Sequence, residues 1–80
     1  MNPRDKVIRY QAHAMRRMQR RGITRGQVEQ TIRRPDHKGP AKRPGATRFE
    51  RKASKRRKTI VIAEEHDTSF WVITAWKKIG

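Results

Sequence analysis

The chain has 80 residues, of which 22 are Lys or Arg and 7 are Asp or Glu, for a net charge of +15; hydrophobic residues make up 32%. That length allows one small domain with a thin core, and with no Cys it excludes a disulfide framework, a thiolate zinc site and thiol catalysis. No apolar run approaches the roughly 20 residues that span a bilayer and no secretory h-region follows the N-terminus, so the expectation is a small, basic, cytoplasmic domain.

Ile8 to Arg21 contains neither Gly nor Pro and predicts a first helix. Ile8, Ala12 and Met15 form one apolar stripe and Tyr10, Ala14 and Met18 the next, wide enough together to sit on a sheet. Gly22 is the helix stop. Thr24 reads as an N-cap, with Gln27 completing a capping box and Ile23 and Val28 a hydrophobic staple. The second helix therefore runs from about Thr24 to Arg33, and Pro35 closes it. Asp36 to Gly45 holds two Pro and two Gly and reads as a loop. Thr47 to Ala53 predicts a strand with Phe49, Arg51 and Ala53 facing inward. Ser54 to Lys58 reads as a basic turn, Thr59 to Glu64 as a β-branched strand, and His66 to Ser69 as a second turn. Phe70 to Lys77 is apolar on both faces, as a central strand is. Trp71 and Trp76 fall at odd and even positions of that strand. They are therefore expected on opposite faces, one in the core and the other free to stack a base.

The order α-α-β-β-β predicts a single α+β domain over residues 1–80, with two N-terminal helices packed on a three- to four-stranded antiparallel β-meander. Met1 and the absence of a linker point to a free-standing chain.

A charge of +15 on so short a chain repels itself and favours a polyanion. Nucleic acid is the first candidate partner, ahead of an anionic membrane surface and an acidic protein. The membrane reading is the poorer fit, because the apolar face of the first helix lacks Trp, Phe and Leu. Arg16, Arg17 and Arg20 follow His13 by three, four and seven residues, and Arg21 continues the row that His13 begins. Like charges at i, i+4 cost several tenths of a kcal/mol per pair, and no acid stands between Lys6 and Val28 to offset them. The row makes sense against a polyanion.

With His13 in it, the row suggests metal-independent RNA cleavage. RNA carries its own nucleophile in the 2′-hydroxyl, an imidazole can move protons near neutral pH, and guanidinium groups can hold charge developing on phosphorus. Without a role for His13, the same row is a phosphate-binding face. Seven scattered acids and three distant His lack the grouping a metal site needs, so neither metal nor cofactor is expected. His37 or His66 could serve as a second proton carrier. The Lys55-Arg56-Arg57-Lys58 run reads equally as a solvated hairpin tip or a phosphate grip.

His13-Ala14, Arg17-Met18 and Arg21-Gly22-Ile23-Thr24 resemble the first-helix signature of domain-of-unknown-function family 4258, which runs His-Ala-x-x-Arg-Met-x-x-Arg-Gly-Ile-Ser/Thr. Val28, Ile32 and Pro35 match its second helix, and Ile73-Thr74-Ala75-Trp76 its last strand, so the resemblance covers about Ile8 to Trp76. It implies the barnase–EndoU–colicin–RelE-like group of small α+β folds, many of them metal-independent RNases used as toxins. It also implies helices on one sheet face and RNA on the opposite face or the edge. On that basis His13, Arg17, Arg21 and Thr74 are the expected catalytic set, with Arg48 as a basic residue on the sheet.

The expected function is then a toxin-like, metal-independent endoribonuclease. His13 is the general acid or base, and Arg17 and Arg21 hold the phosphate with Arg16 or Arg20 in support. Thr74 and Trp76 orient the substrate, while Arg48, Lys55, Arg56 and Arg57 add nucleic-acid contacts. Its partners would be RNA, free or on the ribosome, and an acidic antitoxin or immunity protein. The alternatives are a non-catalytic nucleic-acid- or ribosome-binding module and a protein-interaction domain that docks an acidic partner.

Overall fold

Local chemistry sets both helices in the computed structural model, which describes residues 5–79. Helix α1 (Ala12–Arg20) ends where Gly22 takes φ +65°, a conformation open to residues without a Cβ. The amide of Ile23 then donates to Met18 O at 2.9 Å and that of Gly22 to Gln19 O at 3.4 Å, the paired bonds of a Schellman stop. Helix α2 (Arg25–Arg33) starts from a reciprocal capping box. Gln27 N donates to Thr24 Oγ1 at 3.1 Å, and Thr24 N donates to Gln27 Oε1 at 3.0 Å.

Five strands accompany them: β1 (Val7–Tyr10), β2 (His37–Pro40), β3 (Ala46–Ser54), β4 (Arg57–Glu65) and β5 (Ser69–Ile79). Among the described residues they form one mixed sheet in the order β1-β5-β4-β3-β2. The pairs β2–β3, β3–β4 and β4–β5 are antiparallel, and β1 lies parallel to β5.

This overturns the expected α-α-β-β-β antiparallel meander. Residues 8–10 are not the start of a helix. They belong to a strand that gives β5 a neighbour, with Val7 N donating to Thr68 O and Gln11 N to Val72 O at its two ends. An apolar strand such as β5 with a bare edge would invite association, and β1 covers it. The expected loop over residues 36–45 also contains a strand, β2. Its Gly39 and Pro40 argue against a central strand but are tolerated at an edge, where one side needs no donors. The turn after β3 is likewise shorter than expected, since β3 runs through Ser54 and β4 begins at Arg57.

Both helices pack on one sheet face. Ala14, Met18, Ile23, Val28 and Ile32 meet Phe49, Val61, Ala63, Phe70, Val72 and Ala75, with Ile8 and Tyr10 packed against them. Phe49 and Phe70 make an edge-to-face pair with centroids 5.9 Å apart. The helical stripe is narrower than the sequence suggested, because Ala12 is exposed and Met15 half-buried; in β3, Arg51 is half-buried and Ala53 exposed.

A β-bulge changes the reading of β5. Ile62 pairs with Thr74 but Ala63 pairs with Val72, so Ile73 is the extra residue. Side chains alternate along a strand, and the bulge resets that alternation: Phe70 and Val72 face the core, and so does Ala75. Trp71 before the bulge and Trp76 after it therefore share the face away from the helices. The expectation that they point opposite ways, with one in the core, is corrected: both are half-buried and neither joins the core.

At the start of β1, Lys6 is drawn inward. Its Nζ donates to Glu65 Oε2 at 2.8 Å and to His66 O at 2.7 Å, and lies 5.5 Å from the Phe70 ring centroid. The Lys6 hydrogen bond holds the Glu65 carboxyl below its ordinary 4.5. A carboxyl depressed by folding adds stability that is complete above its unfolded value and is lost as pH falls through the folded one. Glu65→Gln should therefore lower the urea midpoint at pH 7, and its deficit should close as pH falls below about 4.5. A deficit that stays constant across that range would show that the pair does not titrate with folding.

Candidate nucleic-acid interface

Three contacts fix how α1 lies. Gln11 N donates to Val72 O at its start, Arg21 Nη1 donates to Ala75 O at 2.9 Å at its end, and Lys77 Nζ donates to Gly22 O at 3.3 Å just beyond. The helix thus runs beside β5 and in the same direction. At about 1.5 Å per helical residue and 3.3 Å per strand residue, Gln11 to Gly22 and Val72 to Lys77 each cover roughly 16 Å. Among the described residues, β5 beyond Val72 pairs with no strand on the side β1 occupied, while α1 packs over the adjoining sheet face.

With Ala14 and Met18 turned to the core, His13, Arg16, Arg17 and Arg20 are all exposed. No acid pairs with any of the four among the described residues. The negative end of the helix dipole favours Arg17 and Arg20 in the last turn by a few tenths of a kcal/mol. That local term is comparable to the mutual repulsion of the row, so it leaves the row a net positive surface. His13 stands at the far end of this row from Arg21 and makes no hydrogen bond among the described residues.

Arg21 joins the row to the sheet. Besides its bond to Ala75 O, Nη1 lies 3.4 Å from Thr74 Oγ1, a contact spanning 53 positions of sequence. Thr74 also lines a groove of about 400 Å³ on the face away from the helices. One wall of this groove is the segment Pro40–Arg43; the floor is Ile62, Ile73, Thr74 and Trp76, with Arg48 beside them. Arg48 Cζ lies 5.6 Å from the Trp76 ring centroid, and its Nε donates to Glu50 Oε2 at 3.2 Å. A similar pair, Arg9 over Trp71 at 5.7 Å, stands further along the same face.

Of the residues singled out from sequence, Arg21 and Thr74 are in contact, His13 and Arg17 continue their line, and Arg48 and Trp76 meet over the groove. Lys55 and Arg56 sit in the β3–β4 turn and Arg57 begins β4. Arg57 pairs with Ile79 whereas Ile60 pairs with Trp76 and Ile62 with Thr74, so three residues of β4, roughly 10 Å, separate that tip from the near end of the groove and five, roughly 17 Å, from Thr74. His37 lies on the edge strand β2, and His66 is 3.8 Å from Glu64. Among the described residues no three metal-ligating groups gather.

Sequence reading missed Arg9, Lys42 and Arg43. Trp71 was singled out beside Trp76, but the bulge that puts both on one face was not visible. Tyr10, read from sequence as part of the apolar stripe, packs against the core, where burial, reinforced by Glu29, pushes its phenol up to about 12. Its hydroxyl has no partner among the described residues.

No helix among the described residues is long and apolar enough to cross a membrane. A family described as a domain of unknown function, DUF4258, matches residues 10–77. No curated protein and no solved structure matches the chain.

Proposed function

The chain belongs to the DUF4258 family, and from that premise we propose that it is an RNA-acting domain that holds a single strand along the seam between α1 and β5. The observation that carries this reading is the Arg21–Thr74 contact. It makes an acid-free row of arginines and a tryptophan-lined groove into one continuous surface. Guanidinium groups on the helix side suit phosphates, and the groove suits what the phosphates carry.

A second reading, phosphodiester cleavage, rests on His13 standing in line with Arg17 and Arg21. In that case His13 moves the proton of the 2′-hydroxyl or of the leaving oxygen while the arginines hold the charge on phosphorus. The wider kinship with barnase–EndoU–colicin–RelE-like domains belongs to this second reading. So does a toxin role, with an acidic antitoxin or immunity protein neutralising the arginine row.

The test incubates the wild type and His13→Ala, with chelator present, with a labelled single-stranded RNA and its 2′-deoxy counterpart. The first reading expects both proteins to bind RNA equally, with affinity falling as salt rises. The second adds cleavage of the ribose substrate alone, a 2′,3′-cyclic phosphate end, and loss of that cleavage in His13→Ala. Salt-independent or absent binding by both proteins sinks both readings.

A further inference from the structure

We infer that the groove beside Trp76 is a slot for one unpaired nucleobase, an inference that rests on the RNA reading and names what the surface takes. The face on which it lies carries no helix, and such a face of an antiparallel sheet is ordinarily polar. Here it holds both tryptophans of the chain together with Ile60, Ile62 and Ile73. Ile73 is 7% exposed and already covered by its neighbours, as is Ile60 beside the groove. Ile62 and the indole of Trp76, both half-buried, are the parts of the floor left to a ligand.

The charges around the slot suit a base with a phosphate on either side. Lys42 and Arg43 are exposed on one lip, and Arg21 reaches Thr74 on the other. The acid nearest the slot, Glu50, is held by Arg48 Nε, and Glu64 stands further along the face, opposite Trp71. The volume, about 400 Å³, falls within the range of about 300–1,000 Å³ usual for small-ligand sites. The indole and the guanidinium of Arg48 both offer planar faces for stacking. Of the floor, Thr74 Oγ1 and the indole N–H of Trp76 are the groups that can hydrogen-bond a base edge. The slot therefore accepts any base but requires that base to be unstacked, which selects single strands over duplex. An acidic peptide could neutralise the same cations but brings no flat base to stack beside the Arg48–Trp76 pair.

The test uses the full chain and two labelled oligomers of equal length and phosphate count. One is a single-stranded oligoribonucleotide, the other a ribose-phosphate oligomer without bases. Anisotropy titrations at one salt concentration should show the wild type binding the base-bearing oligomer about tenfold tighter or more. Trp76→Leu should erase that difference and leave the abasic affinity unchanged, and Trp76→Phe should keep most of it. Equal wild-type affinity for the two oligomers overturns the slot while leaving the RNA reading intact, and this comparison needs no variant to fold. Equal weakening of both oligomers by a folded Trp76→Leu also overturns it, making Trp76 a structural residue. Binding of neither oligomer overturns the RNA reading and the slot together. Tighter binding of a polyglutamate of matched charge overturns both in favour of an acidic protein partner.

Discussion

Phe49→Ala should remove about 3–5 kcal/mol, a large share of the stability of the chain. Phe49 is 1% exposed at the centre of the core, edge-on to Phe70 on one side and with Lys38 Nζ 5.6 Å from its ring on the other. Truncating a buried Phe costs about 3–5 kcal/mol, the transfer term plus the cavity left behind, and the lost aromatic pair is part of that cost. A domain of this length has roughly 4–12 kcal/mol of stability in total. Self-repulsion at +15 lowers the margin further, most of all at low salt. Urea unfolding followed by circular dichroism measures the change. A loss below about 1.5 kcal/mol would mean that Phe70 and the stem of Lys38 close over the gap.

The second large effect is on binding. Replacing Arg16, Arg17 and Arg20 together by Gln should flatten the slope of log K against log salt by about 2, at roughly 0.7 per phosphate contact on a single strand. Affinity near 0.1 M salt should fall about a hundredfold by the same relation. Stability should shift by less than about 1 kcal/mol, because relief of like-charge repulsion offsets the lost dipole term. Arg21 is left in place because its bond to Ala75 O ties α1 to β5. An unchanged slope would remove the helix row from the interface and leave the cations of the groove as the phosphate contacts.

What could be read from sequence is what is local. The stop at Gly22 and the Thr24–Gln27 box are written within a few residues of where they act, and each appears in the structure as hydrogen bonds. The buried pair Val28 and Ile32 follows from their spacing. What escaped is what depends on a distant partner. Val7 to Tyr10 alternates apolar and polar weakly enough to fit a helix as well as a strand. The choice is made by β5, some 60 positions later. β2 hides behind Gly39 and Pro40 because an edge strand needs only one bonded side. The aim of the tryptophans was lost for a related reason. Counting alternate positions presumes an unbroken ladder, and the bulge at Ile73 is a property of two strands together. In the candidate site, the arginine row and Trp76 were visible singly. Their connection through Arg21 and Thr74 required the crossing of α1 and β5.

The place of β5 also sets an order of events during synthesis. It is made after the other four described strands, yet it lies inside the sheet between β1 and β4 and carries the floor for α1. The hairpin of β3 and β4 can form as it emerges, but β1 and α1 must wait, without their neighbour, until residues 69–79 have left the ribosome. Contacts so distant in sequence form slowly. For that interval the nascent chain presents an apolar strand and a row of arginines, unpaired, beside an RNA-rich machine. Truncation within β5 should therefore prolong that exposed state rather than yield a smaller version of the fold.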